Sequence, residues 1–177
     1  MHRFIILSIL TLFTCTVFGQ RHEMYSKRIH ATAYLTTGDS IVGTLKPKGE
    51  YLRFIKVKTS SGKKVKIPLQ KITLLKLNIL RYSPLDIHGR LHLLEEVAHG
   101  ELQLYAYLKK SDNRSRKYFY LRREGEKGLL IDADNFQAVA NKYLFKDDYI
   151  KGKIESGEWD YNDIVKAFRV YNYRSSK

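Results

Sequence analysis

The sequence predicts an α+β domain: an N-terminal antiparallel β meander, curled as a small barrel or sandwich, followed by a C-terminal group of two to three helices. Three observations carry this. Short apolar-rich runs recur from Ile29 to Ile131 between Gly- and Pro-centred turns. The apolar period changes from two to that of a helix after Asp132. Helices gathered after a run of strands, rather than alternating with them, cover one face or end of a sheet.

Taken in order, Ile29 to Thr37 reads as a strand closed by the turn pair Gly38-Asp39, and Ser40 to Lys46 as its return. Pro47-Lys48-Gly49-Glu50 makes a second turn, Tyr51 to Thr59 a third strand, Ser60-Ser61-Gly62 another turn and Lys63 to Pro68 the strand after it. One further apolar stretch runs from Ile72 to Tyr82. Leu102 to Leu108 and Tyr118 to Arg122 alternate with period two on either side of a polar loop, Lys109 to Lys117, and form a hairpin. Its Leu102, Leu104, Ala106, Leu108, Phe119 and Leu121 face the core, while Tyr105, Tyr107, Tyr118 and Tyr120 line the other face. Gly125 to Gly128 turns the chain into Leu129-Leu130-Ile131.

Phe136, Val139, Ala140, Tyr143 and Leu144 then share one helical face, with Asp134 as the cap. A short helix from Asp148 to Ser156 ends at Gly157. The last helix starts at Asp160, pairs it with Asp163 three residues on, and carries Tyr161, Ile164, Val165 and Phe168 in one stripe. Trp159, the only tryptophan, lies between two helices and reads as a packing anchor.

Residues 1–19 have the layout of a secretory signal peptide: basic His2 and Arg3, an apolar run from Phe4 to Phe18, then small Gly19 ahead of Gln20, where cleavage is expected. The run is about fifteen residues, short of the ~20 that a membrane-spanning helix needs, and no later stretch is longer. Cys15 stands where a lipoprotein cysteine would, but Phe13 and Thr14 precede it where small residues are wanted. Its removal with the leader leaves no cysteine, which excludes thiol catalysis, disulfides and Cys-based zinc sites. The remainder is read as a β-rich region, 20–133, and a helical region, 134–177, packing on the same domain.

Charge is unevenly distributed. From Arg21 to Leu85 fourteen basic residues stand against three acidic ones, a net of +11; from Asp86 to Lys177 seventeen stand against fifteen, a net of +2. The first half therefore suits an anionic partner: a membrane surface, lipopolysaccharide, an acidic polymer or nucleic acid. Alternation puts Lys56, Lys58, Lys64 and Lys66 on one face of a hairpin. The competing reading of that face is a solvated surface that discourages edge pairing.

Other motifs lead away from catalysis. Gly38-Asp39-Ser40 has the form of an esterase nucleophile, which needs a strand ending at the serine, a helix beginning there and a histidine base. Here Ile41 to Leu45 continues as a strand, and the last histidine is His99. His88, His92, Glu95, Glu96 and His99 are the one cluster with metal-ligand types. On a helix His88 and His92 share a face with Glu95 or Glu96 one turn on, a zinc-like arrangement. On a strand His92 and Glu96 are ordinary polar residues opposite Leu91, Leu93 and Val97. Gly89 weakens the helix, and His88-Gly-Arg-Leu-His92 lacks the glutamate base of a metalloprotease. No Gly-rich phosphate loop and no cofactor motif occurs. The tyrosine face, edged by Lys109 and Arg122, is either a platform for stacking sugars or bases or a surface under the C-terminal helices, and the second reading is favoured.

The signal peptide, the strand motif Gly38-Asp39-Ser40-Ile41-Val42-Gly43-Thr44-Leu45 and the C-terminal Trp159-Asp160-Tyr161-Asn162-Asp163-Ile164-Val165, with Phe168, Tyr171 and Asn172 beyond it, together resemble a group of uncharacterised exported proteins of Bacteroidota. The resemblance implies a Gram-negative envelope destination, periplasmic or outer-membrane-associated, and brings no catalytic residues with it. The expected protein is a non-enzymatic envelope binding or assembly module with a basic surface, meeting an anionic envelope component or an envelope protein through Lys56, Lys58, Lys64 and Lys66 or through Tyr105, Tyr107, Tyr118 and Tyr120. An exported protein rarely meets nucleic acid, so none is expected. The alternative is a metal-dependent hydrolase built on the His88, His92, Glu95, Glu96 and His99 cluster.

Overall fold

The structure, a computed structural model, describes residues 28–46, 53–111 and 114–176, with the side chains of 108–117 outside the description. The expected signal peptide and the Pro47 to Glu50 turn lie outside the described residues. The chain divides into two compact units, Met1–Leu93 and Leu94–Lys177.

The first unit opens with β1 (Ile29–Leu35) and β2 (Ser40–Leu45), paired antiparallel from Ile29↔Leu45 to Tyr34↔Ser40. The connection is a three-residue loop, Thr36-Thr37-Gly38, rather than the two-residue turn the sequence suggested. The Leu35 N–H donates to the Asp39 carbonyl at 2.8 Å, and Gly38 takes φ +90, the left-handed position that this loop type requires. β3 (Phe54–Lys58) and β4 (Lys64–Pro68) repeat the device: Ser60-Ser61-Gly62 closes between Thr59 and Lys63, with the Thr59 N–H donating at 2.9 Å and Gly62 at φ +83.

A 3₁₀ turn, Leu69–Lys71, leads to β5 (Ile72–Leu77) and β6 (Leu80–Ile87). The single apolar stretch expected from Ile72 to Tyr82 is thus a hairpin. Asn78 supplies the left-handed residue at φ +51, and Ile79 at the tip is 92% exposed, an apolar residue where turn chemistry would normally be polar. β6 pairs with β5 only from Leu80 to Tyr82, because Pro84 has no N–H to extend the ladder. His88 and Gly89, both at positive φ, then turn the chain into β7 (Arg90–Ala98).

The core of this unit is the inner face of its own strands. Ala31, Ala33, Leu45, Ile55, Val57, Ile67, Leu75 and Leu77 cluster with Leu69 of the 3₁₀ turn, and among the described residues no α-helix joins them. β2 and β3 share the one bridge pair Thr44↔Lys58, beside which their backbones come close. A Cβ on Gly43 would stand 2.2 Å from the Lys58 carbonyl oxygen, so only glycine permits the approach.

In the second unit β8 (Leu102–Ser111) and β9 (Arg114–Arg123) pair without interruption from Leu102↔Arg123 to Ser111↔Arg114, and β10 (Leu129–Ile131) adds to β9. The expected Lys109 to Lys117 loop is therefore mostly strand: its residues are polar on both faces, so no period-two pattern marks it. Three helices follow: α1 (Phe136–Tyr143), α2 (Asp148–Glu155) and α3 (Ile164–Ser175). The cap of α1 is Asn135 rather than Asp134. Asn135 and Asp132 exchange backbone-to-side-chain bonds at 3.0 Å, and the Asn135 amide donates to the Leu130 carbonyl. Asp147 caps α2, and an Asp160–Asp163 capping box opens the last helical segment.

All five residues of the expected α1 stripe are buried, together with Ile150, Ile154, Trp159, Ile164 and Phe168, against Leu102, Leu104, Phe119, Leu121 and Ile131. Tyr161 joins them edge-on to Phe119 and Phe136. Its burial first, then Asp132 and Tyr118, push the phenol up to about 12. The strand order is β6-β5-β1-β2-β3-β4 in the first unit and β10-β9-β8 in the second, and the paired strands are antiparallel. This is an α+β fold with a β meander. Among the described residues no helix is long and apolar enough to cross a membrane.

Candidate binding surface

The face of the first unit that points away from its core is basic. Strand alternation sends Ala31, Leu45, Ile55 and Val57 inward, so His30, Thr44, Lys56 and Lys58 point outward. The registers line these up across four strands: His30 lies opposite Thr44, Thr44 opposite Lys58, and Lys58 opposite Lys64. Lys56 lies opposite Lys66 beside that row. A further row runs Val42, Thr32, Lys76, Arg81.

The four hairpin lysines are therefore two directly opposed like-charge pairs, an arrangement that destabilises a sheet. All four are exposed, and none forms an ion pair among the described residues. Phe54 offsets part of the repulsion, with the Lys66 ammonium 4.0 Å and the Lys56 ammonium 5.6 Å from its ring centroid. The described acidic residues of this unit lie off the rows: Asp39 holds Thr37 in a loop, and Asp86 accepts from the Gly89 N–H.

Along the His30–Thr44–Lys58 row is an open depression of about 510 Å³, lined by Arg28, His30, Val42, Gly43, Thr44, Lys58, Thr59 and Ser60. A second depression, in the other unit, is lined by Gly100, Glu101, Gln103, Arg122, Arg123 and Glu124. Its electrostatics differ. Arg123 donates to Glu101 at 2.7 Å and to Glu126 at 3.1 Å, so its charge is already matched. The Tyr143 hydroxyl, then Arg123, hold Glu126 below the usual carboxylate range against the opposing effect of burial.

The tyrosines do not lie under the helices, which cover the leucine face instead. Nor do they form an open platform. Tyr105 is 2% exposed and donates to the Gln103 side chain at 3.1 Å. Tyr107 and Tyr118 are partly buried with tilted rings 6.5 Å apart. Tyr120 is pressed against Gly128, where a Cβ would meet its hydroxyl at 2.0 Å. The Lys109 side chain lies outside the described residues.

The histidine and glutamate cluster falls on a hairpin, not a helix. His88 is in the turn, His92 is buried in β7, and the Glu96 carboxylate is bonded to His99 Nδ1 at 2.7 Å. Among the described residues no group of three or more His, Cys, Asp or Glu is placed to hold a metal ion. Ser40 is the exposed first residue of β2, followed by strand rather than helix. Trp159 is buried in the helical core, edge-on to Tyr149 and with the Lys166 ammonium 4.6 Å from its ring centroid.

The depression by Arg28 was not legible in the sequence. Its residues come from three chain segments, and only the register of β1, β2 and β3 joins them. Compared with protein-family models, curated proteins and solved structures, the chain gives no match, and its function is argued from this surface.

Proposed function

We propose that the protein is a non-enzymatic module of the Gram-negative envelope that holds an anionic envelope component on the outward face of β1 to β4. The observation that supports this reading best is the pair of opposed lysine pairs, Lys56↔Lys66 and Lys58↔Lys64. Edge protection explains lysines on β4, which ends the sheet order, but β3 is an interior strand with a neighbour on each side. Lys56 and Lys58 repel the edge lysines without protecting any edge of their own. A bound polyanion turns that repulsion into attraction.

The test is a pull-down with tagged protein from envelope extract, washed in parallel at low and high salt. The expected result is a partner retained at low salt and released at high salt, since exposed charge contacts are screened within a Debye length of about 8–10 Å. Replacing Lys56, Lys58, Lys64 and Lys66 by Glu abolishes retention. A partner that stays bound to the charge-reversed protein overturns the reading.

A further inference from the structure

We infer that the depression bounded by Arg28, His30, Thr44, Lys58 and Ser60 is a phosphate-monoester site, the point at which the basic face reads one terminal anionic group rather than diffuse charge. This rests on the reading of that face as an anion-binding surface. Three features of the depression carry it.

Its cations are unspent. Arg28 and Lys58 have no ion pair among the described residues, and no carboxylate lines the depression. The depression beside Arg123 shows the contrast, since the guanidinium there is matched by two glutamates.

Its hydroxyls are divided in role. Thr59 Oγ1 is engaged with Ser61 and with the Lys63 carbonyl, which fixes the loop that carries Ser60. The hydroxyls of Thr44 and Ser60 have no partner among the described residues and are available as donors.

The donor types are complementary. A forked guanidinium, a point-charge ammonium and two hydroxyls, one from β2 and one from the β3–β4 loop, suit a tetrahedral oxyanion with three terminal oxygens better than a planar carboxylate. The row His30–Thr44–Lys58 is held by backbone pairing on both sides of Thr44, so the backbone that carries Thr44 and Lys58 is in place before a ligand arrives.

Such a phosphate arrives either on a soluble sugar or glycerol or on a lipid headgroup, and both present the same group. Titration of the purified protein with inorganic phosphate, followed by amide chemical shifts, is expected to give saturable changes centred on Thr44, Thr59 and Ser60. Arg28→Gln is expected to weaken that binding about tenfold, and Ser60→Ala measurably, because each removes a donor to the charged oxygens. Both variants keep their binding to polyglutamate, whose carboxylates use the Lys56, Lys58, Lys64 and Lys66 face. Glycerol phosphate and phosphatidic acid vesicles then separate the sources: sedimentation with the vesicles that Arg28→Gln abolishes assigns a lipid, and binding of glycerol phosphate without sedimentation assigns a soluble ester. Polyglutamate binding with phosphate shifts that never saturate, or that Arg28→Gln leaves unchanged, overturns the phosphate site and leaves the basic face standing. Loss of both ligands from the wild-type protein overturns the two together.

Discussion

Asn172 does the work of a strand residue from within a helix. Its Oδ1 accepts from the Leu102 N–H at 3.0 Å and its Nδ2 donates to the Leu102 carbonyl at 2.8 Å, so α3 completes the backbone pairing of β8 where the strand begins. Asn172 is buried, and Gly100 is confined to glycine because a Cβ there would stand 2.5 Å from the Asn172 Cγ. Asn172→Ala leaves a buried donor and a buried acceptor unpaired at once. The expected loss is about 2–6 kcal/mol in urea unfolding, since each of the two orphaned groups costs ~1–3 kcal/mol. Asn172→Asp is expected to cost at least as much, because it buries a carboxylate that still accepts from the N–H but repels the Leu102 carbonyl oxygen. Nothing in the sequence marks this contact: the partners are 70 positions apart, and Asn172 reads there as one more polar residue of an amphipathic helix. The lysines were legible, because each faces its partner across a turn of a few residues, Ser60-Ser61-Gly62, whose glycine announces the hairpin.

At the scale of elements, periodicity settled the helices, with the cap of α1 displaced by one residue to Asn135, while the strands depended on context. Asp147 shows how much one cap does. Its Oδ1 accepts from the N–H groups of Tyr149 and Ile150, and Oδ2 takes the Arg174 guanidinium from α3, tying the start of one helix to the end of another. Burial raises its pKa, but Arg174 and the two N–H groups outweigh that and hold it below 3.8. The stabilisation is therefore complete above pH 3.8 and is lost as pH falls through the lower folded value. Asp147→Asn keeps a capping oxygen and gives up the charge, so it should flatten the acid side of the stability profile with a small loss at neutral pH. Asp147→Ala should cost about 1 kcal/mol more, the usual worth of a cap. Unfolding midpoints from pH 2 to 7 for the three proteins check both statements. The strands were harder to delimit for two physical reasons. Around Lys109 to Lys117 both faces are polar, and between Ile72 and Tyr82 an apolar Ile79 occupies a turn tip, so the hydrophobic pattern ran out in one place and ran through a turn in the other.

For the whole molecule, the division of charge follows the division of structure. The unit ending at Leu93 carries Lys56, Lys58, Lys64 and Lys66 exposed and without ion pairs among the described residues, whereas the unit from Leu94 pairs Arg123, Lys153 and Arg174 with Glu101, Glu158 and Asp147. Under the proposed function, folding and binding stand in opposition on the lysine hairpin. Lys56→Glu with Lys64→Glu sets opposite charges across both pairs, which replaces two repulsions by two attractions. The pairs are exposed, so the gain is modest: a rise of about 2 °C in Tm, fading as salt screens the contacts. The same protein should lose most of its low-salt retention of the anionic partner. A surface shaped only for solubility would gain stability and keep its partners. A surface held in repulsion for binding gains stability by losing them, and measuring Tm and retention on the one variant separates the two.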